Sequence, residues 1–195
     1  MIVGDRNVFA IESSITKAFS HPGQRALGYF VIHVRGEAYG VKKPDASLLA
    51  CSLDEVIDRL GRRGTHQISN LLDVSASMIV EAYLDAIYRD TKRTDYFVRS
   101  RSEFSEDIYG NKASWAPDGD QAFDDGSHIL QFDIDDRVRL IAFRNRECLD
   151  DVIESIAEEC IESDRFYDVL SSWSETFLRQ WSYMKKESGA GPVNT

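Results

Sequence analysis

Apolar and polar positions alternate near the start of the chain. Phe9, Ile11, Ser13 and Ile15 fall on one side, and Val8, Ala10, Glu12 and Ser14 on the other. This period of two predicts a strand. Past a turn marked by Pro22 and Gly23, Ala26 to Val34 is apolar or aromatic at nearly every position, as in a central strand buried on both faces. Gly36 marks the next turn, and Glu37 to Val41 predicts a short third strand. The period then changes. Ser52 and Glu55 have the form of a capping box, and Leu53, Val56, Ile57 and Leu60 follow at helical spacing. Gly61 and Gly64 close that helix, with Arg62 and Arg63 near its negative end. A second helix is predicted from Ser75, with Met78, Ile79, Ala82, Tyr83, Ala86 and Ile87 on one face.

The stretch from Asp95 to Ser127 loses periodicity. Tyr96, Phe97, Phe104, Tyr109 and Trp115 stand among turn residues such as Tyr109-Gly110-Asn111 and Pro117-Asp118-Gly119-Asp120. It reads as a long, partly ordered excursion with a short strand near Tyr96 to Val98, pinned by its aromatics, and such loops are often functional. A hairpin follows: His128, Leu130, Phe132 and Ile134 alternate with their neighbours, Asp135-Asp136 turns, and Val138, Leu140 and Ala142 alternate again. Helical spacing returns in Val152, Ile153, Ile156, Ala157, Cys160 and Ile161, and after a break at Ser163-Asp164 in Phe166, Val169, Leu170, Trp173, Phe177 and Trp181. Strands and helices are partly segregated. The expected fold is α+β, an antiparallel or mixed β-sheet with about four α-helices packed against it. Residues 1–187 are expected to form one domain, and 188–195 a flexible C-terminal tail.

Length and composition fit that picture and narrow the partner. A chain of 195 residues has room for one domain's core. Its formal charge of −10 disfavours nucleic acid and anionic lipid as partners and favours a basic protein. The same charge is equally compatible with simple solubility. No apolar run reaches the ~20 residues of a membrane span, and the opening Met1 to Asp5 lacks a secretory signal's pattern. Cys51, Cys148 and Cys160 are odd in number and widely spaced, so neither a disulfide framework nor a metal-binding pair is expected. They read as reduced thiols in or near the core of a cytoplasmic protein.

Catalytic apparatus is hard to find. No Gly-x-Ser-x-Gly or phosphate-binding glycine loop is present. Cys51, close to a helix start, is a weak candidate nucleophile, with His66 as the histidine next along the chain. His21, His33, His66 and His128 are scattered, and His33 reads as a satisfied sheet residue. One constellation is dense. Asp118, Asp120, Asp124 and Asp125 fall together, Asp133, Asp135 and Asp136 follow around the hairpin, and no Lys or Arg interrupts Ala116 to Asp136. Calcium binding, a two-metal nuclease centre, a patch for a basic protein, and a solvated loop without special use all fit that run. The calcium option lacks the full loop spacing and its closing glutamate, and the nuclease option lacks a basic groove.

Three runs carry a resemblance. Gly4-Asp5-Arg6-Asn7-Val8-Phe9-Ala10-Ile11-Glu12, Phe123 to Asp133 and Val138-Arg139-Leu140-Ile141-Ala142-Phe143 are similar to bacterial immunity proteins of the Imm42 type, and the likeness extends to about Asp168. The resemblance implies a cytoplasmic protein that binds a cognate toxin domain and neutralises it. Many such toxin domains are basic nucleases, in keeping with this chain's acidity. The resemblance carries over no contact residues. From the residues themselves, the expected partner-binding set is Tyr109, Trp115, Asp118, Asp120, Asp124, Asp125, Asp133, Asp135 and Asp136, with the carboxylates steering and an aromatic anchoring. No cofactor or metal is expected, and the oligomeric state is open. The alternatives are a small enzyme or metal-binding protein using the acidic loop, and a scaffold subunit.

Overall fold

Two antiparallel sheets and five α-helices make the α+β fold in the computed structural model, which describes residues 1–21, 23–115 and 121–189. The first sheet holds β1 (Ile2–Asp5), β2 (Phe9–Ala18), β3 (Ala26–Val34), β4 (Glu37–Tyr39) and β5 (Ser47–Leu48). β3 pairs with β2 along one edge and with β4 and β5 along the other, so the most apolar stretch of the sequence is the central strand. Gly28 lets β2 and β3 close together, since a Cβ there would lie 1.9 Å from the Ser14 carbonyl oxygen.

α1 (Leu49–Gly61) and α5 (Ser163–Gly189) pack with this sheet. The face of β2 that carries Phe9, Ile11 and Ser13 meets α5. Phe9 stacks near Phe166, and the Trp173 indole N–H donates to Ser13 Oγ at 3.0 Å. The predicted stripe of α5 is the buried one, with Phe166, Leu170, Trp173 and Phe177 all inside.

The second sheet holds β6 (Ser127–Ile134), β7 (Arg137–Arg144) and β8 (Ala157–Glu162) in that order. Both of its faces are covered. Ile129, Val138, Leu140 and Ala142 join the core shared with the first sheet, α1 and α5. Leu130, Phe132, Ile141 and Phe143 join a second core with α2 (Ala76–Ile87) and α3 (Arg101–Gly110).

Four expectations change. α1 begins at Leu49, with Leu48 as its N-cap and no side-chain capping bond. Ser52 is buried in the first turn, so the motif at Ser52 and Glu55 is not a capping box; Leu49 and Ala50, both in the core, start the helix earlier. The real box lies at Ser100 and Glu103, each side chain bonding the other's backbone N–H, and it opens α3 inside the stretch expected to be irregular. Tyr96 to Val98 forms a turn, with Phe97 and Val98 at positive φ, and no strand. The stripe from Val152 to Ile161 is divided between α4 (Leu149–Glu154) and β8, because β7 needs a partner and Ala157 and Ile161 pair with Ala142 and Val138. The cysteines also differ from expectation: all three are exposed.

Candidate interaction surface

β6 divides the acidic run. Asp124 and Asp125 precede it, and Asp135 and Asp136 form the turn after it. At about 3.4 Å per residue an eight-residue strand holds its ends roughly 24 Å apart. The run that is continuous in sequence is therefore two separate acidic ends. Asp118 and Asp120 lie outside the described residues.

At the first end, Asp124 is exposed, and Asp125 Oδ1 accepts the Ser127 N–H at 3.1 Å. At the second end, Asp135 and Asp136 are exposed in the turn, with Asp135 at φ 52°. The Asp136 carbonyl accepts the Ser163 N–H at 2.7 Å, which ties the hairpin to the start of α5. This junction brings Glu162 and Asp164 beside the two turn aspartates around a recess of about 460 Å³. Arg63 and Gly64, from the loop after α1, form its other wall. Arg63 pairs with Asp164 and lies over the Tyr167 ring, 5.1 Å from its centre. Neither Glu162 nor Asp164 stands out in the sequence, since the pairing of β8 with β7 brings them there.

The same loop holds the end of α3. Arg62 donates to the Gly110 carbonyl at 3.0 Å, and His66 Nδ1 bonds the Asn111 carbonyl at 2.9 Å. Tyr109, about one-third exposed at 36%, is carried on this end of α3.

Two expected contact residues are internal. Trp115 is 2% exposed and stacks against Arg59, whose guanidinium carbon lies 4.2 Å from the ring centre. Asp133 is 3% exposed; it accepts from Tyr167 and Gln131 and from the His66 backbone N–H. In this structure both are core residues, contrary to their expected surface role. β6 is buried on both faces, and the period of two puts Asp133 on the same side as Ile129 and Gln131.

Arg59 completes this interior network. It donates to Gln131 Oε1 at 2.9 Å and to the Ser114 carbonyl at 2.8 Å, and pairs with Glu55 at 2.8 Å. Burial pushes its pKa down to about 10 against the pull of Glu55, so it stays charged at neutral pH. Burial also raises the Tyr167 phenol, with Asp133 acting in the same direction. His66, fully buried, is held below its usual range first by burial and then by Arg59.

A second buried carboxylate lies on the first sheet. Glu12 accepts from Arg6 at 2.8 Å, from Lys42 at 2.6 Å and from Tyr29 at 3.1 Å, and bonds His33 Nε2 at 3.0 Å. His33 is thus the satisfied sheet residue expected. Burial acts to raise the Glu12 pKa, but Lys42, His33, Arg6 and Tyr29 together bring it down to about 2. A permanently ionised carboxylate does not serve as an acid or base near neutral pH. The Cys51–His66 pairing also fails on geometry: Cys51 is in the first turn of α1, and His66 is buried beyond its other end. Among the described residues no three His, Cys, Asp or Glu side chains gather as a metal site would require.

The Immunity protein 42 family model matches residues 1–176. The crystal structure of CdiI from Burkholderia dolosa AUO158 has a similar fold, with a TM-score of 0.56 and 14% identity over 90% of this chain and 99% of that one. No curated protein matches the sequence.

Proposed function

The chain belongs to the Immunity protein 42 family, and from that premise we propose that it neutralises a cognate bacterial toxin domain by forming a stoichiometric complex in the cytoplasm, without catalysis of its own. The fold shared with a CdiI supports a place in contact-dependent inhibition. No described helix is long and apolar enough to cross a membrane.

The observation that carries the surface assignment is the recess at the β6–β7 turn. Four carboxylates, Asp135, Asp136, Glu162 and Asp164, border a concavity with one arginine in its wall. Such a recess favours a basic side chain and repels nucleic acid. It speeds encounter with a basic toxin domain and aligns the two surfaces before the tighter contacts form. Tyr109, on the neighbouring end of α3, is the aromatic placed to anchor that contact. Asp124 and Asp125 form a separate arm at the far end of the hairpin, with Asp118 and Asp120 before them in sequence.

Co-expression with the toxin domain encoded beside this chain is expected to preserve growth and yield a co-purifying complex. Reversing Asp135, Asp136, Glu162 and Asp164 to Lys is expected to slow association about ten-fold or more and flatten its salt dependence. Reversing Asp124 and Asp125 alone measures the far arm. Loss of protection only in the second variant moves the steering surface to that end, and no loss in either removes it from the hairpin.

A further inference from the structure

The turn after α2 holds Val98 in an unusual state. Its side chain is 97% exposed and its φ is 66°, directly after Phe97 at 60°. Left-handed backbone is unfavourable for a non-glycine residue, and a β-branched side chain is among the least suited to it. Gly or Asn adopts that backbone readily, and a side chain so fully in solvent returns no packing within the chain.

The surroundings keep this turn from relaxing. The Val98 N–H donates to Asp95 Oδ1 at 2.8 Å, and the Tyr96 N–H donates to the Arg99 carbonyl at 3.0 Å. Asn70 Nδ2 donates to the Phe97 carbonyl at 2.8 Å. The Tyr96 and Phe97 rings lie 5.6 and 6.0 Å from Phe104, and Arg93 covers both from 5.1 and 5.7 Å. The result is a rigid pedestal with one apolar tip. The arginines around it are engaged within the chain: Arg89 and Arg93 pair with Asp85, Arg99 pairs with Asp107, and Arg101 donates to the Ala86 and Arg89 carbonyls, so the tip offers an apolar contact and not a charged one.

We propose that the Asp95–Arg99 turn is a preformed contact loop that seats Val98 in an apolar socket of the toxin domain. This rests on the toxin-binding reading above and adds a second surface to it. A tip already held in its bound shape loses little entropy on docking, and a side chain that goes from full exposure to a closed pocket contributes to holding the complex. The backbone strain at Val98 is then offset in the complex, where the valine is buried.

Val98→Asn and Val98→Ile test this. Asparagine tolerates left-handed backbone and lacks the apolar tip; isoleucine keeps the tip. Binding is measured by calorimetry against the adjacent-gene toxin domain carrying an inactivating substitution. Val98→Asn is expected to melt at or above the wild-type temperature yet bind about ten-fold more weakly or worse, mainly through faster dissociation. Val98→Ile is expected to bind like wild type. Wild-type binding with no loss in Val98→Asn overturns the contact loop alone, whereas no binding by the wild-type chain overturns the toxin-binding reading with it. Loss of self-association in Val98→Asn with unchanged toxin affinity overturns the proposal in favour of a second copy of this chain. If Val98→Asn melts lower, Val98→Gly replaces it, with the same two binding outcomes.

Discussion

Trp115 shows what burial does to a residue that resembles a surface anchor. Its backbone N–H donates to the Ile129 carbonyl at 2.9 Å, and its ring closes over the Arg59 guanidinium. Arg59 in turn needs Gln131, the Ser114 carbonyl and Glu55, since a buried charge without partners is costly. Removing either member breaks more than one contact. Trp115→Ala is expected to destabilise the fold by about 3–5 kcal/mol through the lost ring volume, and Arg59→Ala by a similar amount through its stranded partners. Urea unfolding followed by fluorescence measures both. Weakened toxin binding with unaltered stability in Trp115→Ala would return the tryptophan to the interface. Asp133 makes the same point with opposite charge: its place in the sequence beside Asp135 and Asp136 says nothing about solvent, because Asp133 is still within β6, which is covered on both faces, whereas Asp135 and Asp136 are already in the turn.

At the scale of elements, one motif occurs twice and caps once. Ser52 with Glu55 lies inside a helix already under way, whereas Ser100 with Glu103 follows a left-handed turn and caps α3. Ser100→Ala is expected to cost about 1 kcal/mol, visible as a lowered midpoint in thermal unfolding, while Ser52→Ala, which removes a buried hydroxyl with no partner, is expected to cost less. An effect of equal size at the two positions would contradict the capping assignment. This pair also shows what the chain's pattern can disclose. β3, the β6–β7 hairpin and α5 are legible because each keeps one period and a wide apolar face. α3 is not, because only Phe104 and Ile108 of it are buried and its polar remainder resembles a loop. β8 is hidden because its short apolar spacing fits a helix until β7 supplies a partner. The recess was half legible: Asp135 and Asp136 declare themselves as a turn, but Glu162, Asp164 and Arg63 arrive through long-range pairing that local sequence does not encode.

For the whole molecule, two buried titratable groups set the response to acid. The Glu12 carboxylate titrates near 2 in the fold against 4.5 unfolded, so its contribution is complete above about 4.5 and is lost as pH falls toward 2, on the order of 3 kcal/mol. His66 is also depressed, and burial keeps it neutral. Its contribution is complete above about 6.5 and declines below that as the unfolded chain takes up the proton first. Both losses run in the same direction, so stability is expected to decline gently below pH 6.5 and steeply below 4.5. Urea midpoints across this range check the profile. In Glu12→Gln the steep lower limb is expected to flatten; a limb of unchanged slope would assign it elsewhere.

The β6–β7 hairpin runs through the interior with both faces covered, and only its ends reach water. A change in the middle of this hairpin disturbs two cores at once, whereas a change at either tip disturbs neither. Under the proposed assignment of recognition to the tips, it can be rewritten there without disturbing the cores. A lineage that must follow a changing adversary needs such a layout: an interior that stays constant while its extremities are exchanged, so that new partners are met without the fold being invented again.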